Sequence, residues 1–195
     1  GATQWTLEDQ TAFAPRPFYC VEISSSAVNE HLALAALAPC QWRPLHRTTP
    51  RPQQQALAVF SYSFLEMQKN LPDLLDFDHI LILEPSTREA GRALMNWRSE
   101  WLKEGFTALA PCTHDKACPL LTHSGRDWCH TRVPFHGPDW FAQLEERLPM
   151  KNRSLTYSYL LMSRTCRDGK FRGATRVIGD TLFERGKTRQ MICRG

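Results

Sequence analysis

The sequence has 195 residues, of which 42% are hydrophobic and 23% are charged. This composition is typical of a globular protein and excludes extensive disorder. No run approaches the roughly 20 apolar residues that a membrane-spanning helix needs, and residues 1–10 lack the basic start and apolar core of a secretory signal. We therefore expect an intracellular protein without a membrane partner, built as one domain or one domain with an appended module.

The net charge of +4 is unevenly distributed along the chain. Residues 151–195 contain eleven Lys or Arg against three Asp or Glu, whereas residues 1–150 contain thirteen against seventeen. A basic C-terminal segment on a slightly acidic body favours a polyanionic partner such as RNA. The alternative is an ordinary solvated basic face.

Strands and helices are predicted to alternate through residues 1–110. Short apolar runs predict strands, and apolar or amphipathic stretches that lie between cap residues and Pro or Gly predict helices. The predicted strands are 18–23, 42–45, 56–60, 79–84 and 106–110. The predicted helices are 24–38, 64–75 with a break at Pro72, and 87–104. This alternation predicts an α/β fold with a doubly wound sheet, in which the continuous apolar run 79–84 is typical of a parallel strand. In such sheets, ligands bind beyond the carboxyl ends of the strands.

Two of the predicted strands end in an acid, Glu22 and Glu84. A carboxylate at the end of the second strand of a nucleotide-binding unit can accept hydrogen bonds from both ribose hydroxyls. Glu22 is therefore a candidate ribose ligand, and an ordinary solvated strand end is the alternative.

The pattern changes after residue 110. Residues 111–137 are rich in Pro, Cys, His and Gly and show no periodicity, while 139–148 predicts a short helix and 155–162 predicts an apolar strand. The segment 165–195 is basic and contains four internal glycines before its last residue. We therefore expect the chain to divide into an α/β part, 1–110, and a Cys-rich and basic part, 111–195.

Four of the seven cysteines form a candidate metal site. Cys112, Cys118 and Cys129 are spaced C-x5-C-x10-C, and Cys193 lies near the end of the sequence. Thiolates that converge on one point repel one another unless a cation is present, so this set indicates a metal. Zinc sites usually contain a closely spaced pair, and the wider spacing here favours an iron–sulfur cluster, whose irons sit at separate corners. Unreactive thiols in a loop are the alternative.

Other residues compete for this role. A histidine can replace a cysteine at a zinc site, and the candidates are His114, His123, His130 and His136. Cys166 is left over, while Cys20 and Cys40 are expected to pack as small hydrophobic residues. The odd number of cysteines argues against a disulfide framework.

The segment 110–120, APCTHDKACPL, resembles a known family. It is similar to the methyltransferase-like assembly proteins of the mitochondrial small ribosomal subunit and their bacterial relatives. Those proteins carry an APCPH…CP segment, a third cysteine soon after it, and a late cysteine beyond an Arg-rich stretch. Cys129 and Cys193 stand at these last two positions.

The resemblance extends upstream over nearly the whole chain. Gly1 looks like the last glycine of the family's cofactor loop, and 19–22 looks like its second strand with the ribose-binding acid. Residues 61–63 match the segment after its fourth strand, and 84–87 with Gly91 match the turn beyond its fifth. Because the first strand and most of the glycine loop are missing, we expect the sequence to be an N-terminally truncated piece of a longer protein.

The resemblance implies a Rossmann-like S-adenosylmethionine methyltransferase fold over 1–110, with a Cys-rich metal-binding insertion and basic C-terminal strands that pack on the same sheet over 111–195. It implies contacts to S-adenosylmethionine from Gly1, Glu22 and Ser61, and a [4Fe-4S] cluster, or alternatively zinc, on the four cysteines Cys112, Cys118, Cys129 and Cys193. No catalytic residue is identified.

The implied partner is the RNA of the small ribosomal subunit, which the protein methylates or binds during ribosome assembly. We expect a monomer in the bacterial cytoplasm, or in the mitochondrial matrix if the source is eukaryotic. Two alternatives stay open: a non-catalytic rRNA-binding assembly factor that uses the fold as a scaffold, and a zinc-stabilised domain with another substrate.

Overall fold

A computed structural model describes residues 18–20, 42–44, 56–68, 74–149, 151–166 and 171–194. The chain divides into two compact units, 1–51 and 52–195. In the first unit, strand β1 (Phe18–Cys20) pairs in parallel with β2 (Trp42–Pro44). Gly1, Glu22 and the helix expected at 24–38 lie outside the described residues.

The second unit is built on a five-stranded mixed sheet. Its strands are β3 (Leu57–Ser61), β4 (His79–Pro85), β5 (Thr107–Ala110), β6 (Thr131–Pro134) and β7 (Ser154–Ser163). The order is β3-β4-β7-β5, and β6 also pairs with β7. The pair β3–β4 is parallel, as expected, but β7 runs antiparallel to β4, β5 and β6. This mixed sheet with a parallel pair is compatible with the predicted Rossmann-like α/β fold. The direction of β7 was not predicted, since an apolar run indicates a buried strand but not its direction.

Within the described part of this unit, four helices accompany these strands. They are α1 (Phe64–Met67), α2 (Arg88–Lys103), α3 (Pro119–His123) and α4 (Asp139–Glu146). The start of α2 is as predicted, because the Oγ1 atom of its N-cap Thr87 accepts a hydrogen bond from the Ala90 amide at 3.2 Å. Its end is also as predicted, because Gly105 has a φ of +86°, a conformation that favours glycine.

The core lies between α2 and the sheet. Ile80 and Ile82 of β4 and Leu160 of β7 are fully buried. Phe64 packs edge-to-face on Trp101, with ring centroids 5.8 Å apart. Burying a large apolar side chain contributes roughly 1.5–3 kcal/mol, so these residues hold the sheet and helix together.

Some elements differ from the predictions. Among the described residues, the helical pattern predicted over 64–75 with a break at position 72 is seen as the short helix α1 and a separate 3-10 turn, Leu74–Asp76. The sequence has a proline at 72, which is incompatible with the interior of a continuous helix. Helix α3 and strand β6, within the segment 111–137, were not predicted, because elements of four or five residues are too short to show periodicity.

The basic C-terminal segment forms a β-hairpin. Strands β8 (Arg176–Glu184) and β9 (Lys187–Cys193) pair antiparallel in a sheet of their own. Strand β7, which also follows residue 110, instead lies inside the main sheet between β4 and β5. The two parts expected to meet at residue 110 therefore share one sheet through β7.

Candidate metal centre

The segment 111–130, called here the cysteine loop, leaves and re-enters the sheet along one edge of β7. Strand β5 pairs with the end of that edge, Thr107 opposite Ser163, and β6 pairs with its beginning, Thr131 opposite Tyr157. The cysteine loop connects these two strands across the gap between them. In this gap, the Ser158 hydroxyl donates a hydrogen bond of 2.8 Å to the Cys129 carbonyl.

Arg98 of α2 organises the first half of the cysteine loop. Its side chain is fully buried, and its guanidinium donates hydrogen bonds to the carbonyls of His114 and Lys116. A buried cation is tolerated only when it is hydrogen-bonded, and buried carbonyls in a loop need donors. The hydrogen bonds from Arg98 therefore satisfy two buried carbonyls between Cys112 and Cys118 and also give the buried guanidinium its partners.

Arg92 and Gly91 of the same helix position the second half. Arg92 donates to the carbonyls of Ser124 at 2.8 Å and Asp127 at 3.0 Å. A Cβ atom at Gly91 would lie 2.8 Å from Trp128 Cδ1 and 2.9 Å from the Cys129 carbonyl oxygen. Glycine therefore permits the close approach that brings Cys129 against α2.

The four predicted cysteines line one pocket. Cys118 and Cys129 are buried, and Cys112 and Cys193 are half-buried. Three come from the cysteine loop, while Cys193 ends β9 and is paired with Arg176 across the hairpin. The remaining described cysteine after residue 110, Cys166, is exposed and lies outside this pocket.

The pocket disfavours thiolates unless positive charge is added. Burial raises the pKa of Cys112 to about 12, and it also raises the pKa of Cys129 and Cys193, because a thiolate loses its hydration there. The thiols raise one another's pKa further, whereas Arg98 and Arg176 act in the opposite direction. Arg176 Nη1 lies 2.8 Å from Cys129 Sγ. A cation bound among these sulfurs would lower their pKa and favour the thiolates.

Buried donors beside the thiols also lack partners. Arg98 Nε, Thr113 Oγ1 and His114 Nδ1 are buried without a hydrogen-bond partner among the described residues. Each such atom costs about 1–3 kcal/mol. Because Arg98 and His114 line the pocket, a hydrogen-bond-accepting group in it would relieve part of this cost.

The pocket is not arranged for a single ion. Among the described residues, no group of three or more His, Cys, Asp or Glu side chains is placed to hold one metal ion. A zinc ion holds each sulfur at about 2.3 Å, which brings four tetrahedral sulfurs to within about 3.8 Å of one another. Within the described residues, the four cysteines therefore share a pocket but do not form a metal site.

The four histidines considered as alternative metal ligands lie in different environments. His114 lines the pocket, and its Nε2 lies 3.6 Å from Cys193 Sγ. Burial, aided by Arg98 and Lys116, lowers the pKa of His114. His123 and His136 are exposed, and the His130 ring packs on Trp128 with centroids 5.3 Å apart.

The predicted cofactor ligands lie elsewhere. Ser61 ends β3 and is exposed at the carboxyl end of the strand, opposite Leu83 of β4. Gly1 and Glu22 lie outside the described residues. Glu84 is buried, and its Oε1 atom accepts a hydrogen bond of 3.2 Å from the Leu65 amide at the start of α1. Burial raises its pKa, although the backbone hydrogen bonds oppose this shift.

A family model described as mitochondrial small ribosomal subunit Rsm22 matches residues 55–195. The chain belongs to this family. The match covers nearly three quarters of the chain and includes the cysteine loop and the C-terminal hairpin, so the predicted family is confirmed. No curated protein matches the sequence significantly. In this Rsm22-family chain, none of the described helices is long and apolar enough to cross a membrane.

Sequence reasoning missed the residues of the Rsm22-family chain that shape the pocket around the sulfurs. Arg98 could have been found, because it interrupts the apolar face of α2 between Leu94 and Trp101. Arg176 has no such signal, since it is one of many cations in the C-terminal segment.

Proposed function

We propose that this chain is an RNA-binding, methyltransferase-like protein of small-ribosomal-subunit assembly. We also propose that Cys112, Cys118, Cys129 and Cys193 hold a [4Fe-4S] cluster. The observation that carries the proposal is the single pocket lined by thiols from two segments far apart in the sequence. The family match supports the ribosomal part.

The pocket's own residues suit an iron–sulfur cluster. Such clusters are ligated by four Cys thiolates, and hydrogen bonds to the sulfurs tune them. Arg176 already approaches Cys129 Sγ, and the unpaired Arg98 Nε is a further donor in the pocket. A bound cluster would supply the positive charge that the four thiolates need and would leave no coordination position for a substrate.

The role of the cluster would be to fasten the C-terminal hairpin. Cys193 and Arg176 form the first pair at the open end of the hairpin. Arg176 also donates to the Thr131 hydroxyl at 2.7 Å and to the His130 carbonyl at 3.3 Å, both next to Cys129. Loss of the cluster would therefore loosen the basic hairpin, which is the segment that we propose to contact RNA.

Methyl transfer is the second part of the proposal. As implied by the family resemblance, Glu22 would hold the ribose of S-adenosylmethionine, Gly1 would contact its methionine part, and Ser61 would line its pocket. Methyl transfer to a nitrogen can proceed mainly by positioning of the reactants, so a dedicated base is not required. We place this activity at the ribosome, in the mitochondrial matrix or the bacterial cytoplasm according to the source, and in a monomer.

The cluster is tested by iron and sulfide analysis of protein prepared without oxygen. We expect about four of each per chain in the parent and a large loss in each of the Cys→Ser variants of the four ligands. Cys166→Ser is the matched control and should keep its iron. Stoichiometric zinc in a colourless protein, or an essential Cys166, would contradict the assignment.

The enzymatic part is tested by calorimetry with S-adenosylmethionine, followed by methyl transfer to RNA of the small ribosomal subunit. Binding followed by transfer supports an enzyme. Cofactor binding without transfer supports the non-catalytic assembly factor, in which the fold is a scaffold.

A further inference from the structure

A second groove lies between the β6–β7 edge and the C-terminal hairpin. Its volume is about 380 Å³, and it is separate from the thiol pocket. On one side it is lined by Arg132, Arg153 and Ser154, and on the other by residues of the hairpin. A pocket of this size lies at the lower end of the range that takes small ligands, about 300–1,000 Å³.

The hairpin side of the groove is formed by an irregularity in β8. The hairpin pairs regularly from Arg176 to Ile178 and again from Leu182 to Glu184. Between these stretches, residues 179–181 of β8 stand opposite Gln190 alone, and all of them line the groove. Gly179 has a φ of +61°, which makes this kink possible. Bulges of this kind often re-aim side chains at functional sites.

The two arginines give the groove its charge. Arg132 donates through Nε to the Ser154 hydroxyl at 2.8 Å and pairs through Nη1 with Asp180 at 2.6 Å. A guanidinium has five N–H donors, so three remain available after these two bonds. Arg153 is exposed, and its guanidinium forms no ion pair within the described part of the chain. The groove is therefore lined by two cationic side chains, Arg132 and Arg153, and by one carboxylate, Asp180.

We propose that this groove binds one nucleotide unit of a single-stranded RNA, with the phosphate held by Arg132 and Arg153. This inference rests on the proposed RNA-binding function and names the site where it occurs. Arginine is suited to phosphate because its planar fork of donors matches the phosphate oxygens. Asp180 also lines the groove, and its second carboxylate oxygen, which is not paired with Arg132, can accept a hydrogen bond from sugar or base. Val133 and Val177 add apolar surface for a base to cover.

Single-stranded RNA fits the groove better than a duplex. The groove has room for one nucleotide and combines cations with apolar surface, which is how proteins bind the backbone and bases of a single strand. A duplex presents stacked and paired bases and would contact only the rim of the groove.

The test measures binding of a fluorescently labelled 12-nucleotide oligouridine to the full chain by anisotropy, between 50 and 200 mM salt. Arg153→Gln should weaken binding about fivefold at 50 mM salt and reduce the slope of log K against log salt by about 0.7, the value for one lost phosphate contact on a single strand. Since Arg153 is exposed, the variant should keep the parent's circular dichroism.

The matched control is Lys103→Gln, which removes the same charge from the end of α2. Strand β5, which follows α2, pairs Thr107 with Ser163. Ser163 lies at the opposite end of β7 from Ser154, which lines the groove, and the two residues are about 30 Å apart along that strand. This variant should bind oligouridine within twofold of the parent. Equal weakening by both variants would overturn the groove assignment, because it would show a general charge effect.

Two further outcomes separate this inference from the proposed function. If the parent binds RNA and Arg153→Gln binds it as tightly with the same salt slope, the groove is not the site, although the RNA-binding function stands. If the parent binds no RNA at all, the proposed function fails as well. A 12-base-pair RNA duplex that binds as tightly as the single strand and is equally sensitive to Arg153→Gln would contradict the single-strand part.

Discussion

Replacing Gly91 with alanine tests how closely the cysteine loop must approach α2. The new Cβ would lie 2.8 Å from Trp128 Cδ1 and 2.9 Å from the Cys129 carbonyl oxygen. Both distances must grow by about 0.5 Å or more to reach ordinary contact, and overpacking of this kind costs about 1–3 kcal/mol. Alanine in a helix is favoured over glycine by only about 0.5–1 kcal/mol. We therefore expect a net loss of about 1–2 kcal/mol in the free energy of unfolding.

The assay is urea unfolding of Gly91→Ala together with its iron content after anaerobic preparation. Because the clash displaces the backbone of Cys129, iron occupancy should fall along with stability. Gly125→Ala is the matched control, since nothing lies within 4 Å of its added Cβ. The control should change stability by no more than about 0.5 kcal/mol. A Gly91→Ala protein that is as stable as the parent and retains its iron would refute the close-approach argument.

Three further predictions follow from the packing and the charges. In urea unfolding, Glu84→Gln should be more stable than the parent at pH 7 and equal to it at pH 4. Burial raises the pKa of Glu84 above its ordinary value of 4.5, so the parent loses stability as pH rises through that pKa. Arg98→Met should lower the free energy of unfolding by about 3 kcal/mol, because buried carbonyls of the cysteine loop lose their hydrogen-bond donor. Arg126→Met, at an exposed loop position, should change the free energy of unfolding by less than about 0.5 kcal/mol. Removing iron should speed amide exchange in β9 by at least about tenfold, measured by mass spectrometry, while β4 stays protected.

These predictions can each fail clearly. A pH-independent difference between Glu84→Gln and the parent would show that the buried carboxyl does not titrate differently in the folded state. Equal effects of Arg98→Met and Arg126→Met would show that the carbonyl contacts of Arg98 add nothing. Unchanged exchange in β9 after iron removal would separate the hairpin from the thiol pocket.

The sequence predicted helix α2 well because its boundaries are encoded locally. Thr87 caps the first turn, and Gly105 takes the left-handed conformation that ends the helix. The buried strand β4 was also predicted, since its run of Ile and Leu is continuous. The direction of β7 was not predicted, because strand direction depends on how distant segments pair rather than on local pattern.

The sequence groups the four cysteines that line the pocket, but not the residues that surround them. Cysteines are few and their spacing is informative, so Cys112 and Cys193 could be grouped from the sequence. The pocket also depends on Arg98, Arg176 and Gly91, which act through distances of a few ångströms between different elements. The groove beside the bulge of β8 was likewise hidden, because the irregular pairing of residues 179–181 interrupts the alternation that identifies a strand.

We propose that thiols from the cysteine loop and from the end of β9 share one inorganic cluster. Alkylation of the anaerobically prepared protein, read residue by residue with mass spectrometry, tests it most directly. We predict that Cys112, Cys118, Cys129 and Cys193 are protected together, that Cys166 reacts at once, and that all four become reactive when iron is removed under denaturing conditions. Rapid labelling of Cys193 in the iron-loaded protein, while the other three stay protected, would contradict the claim.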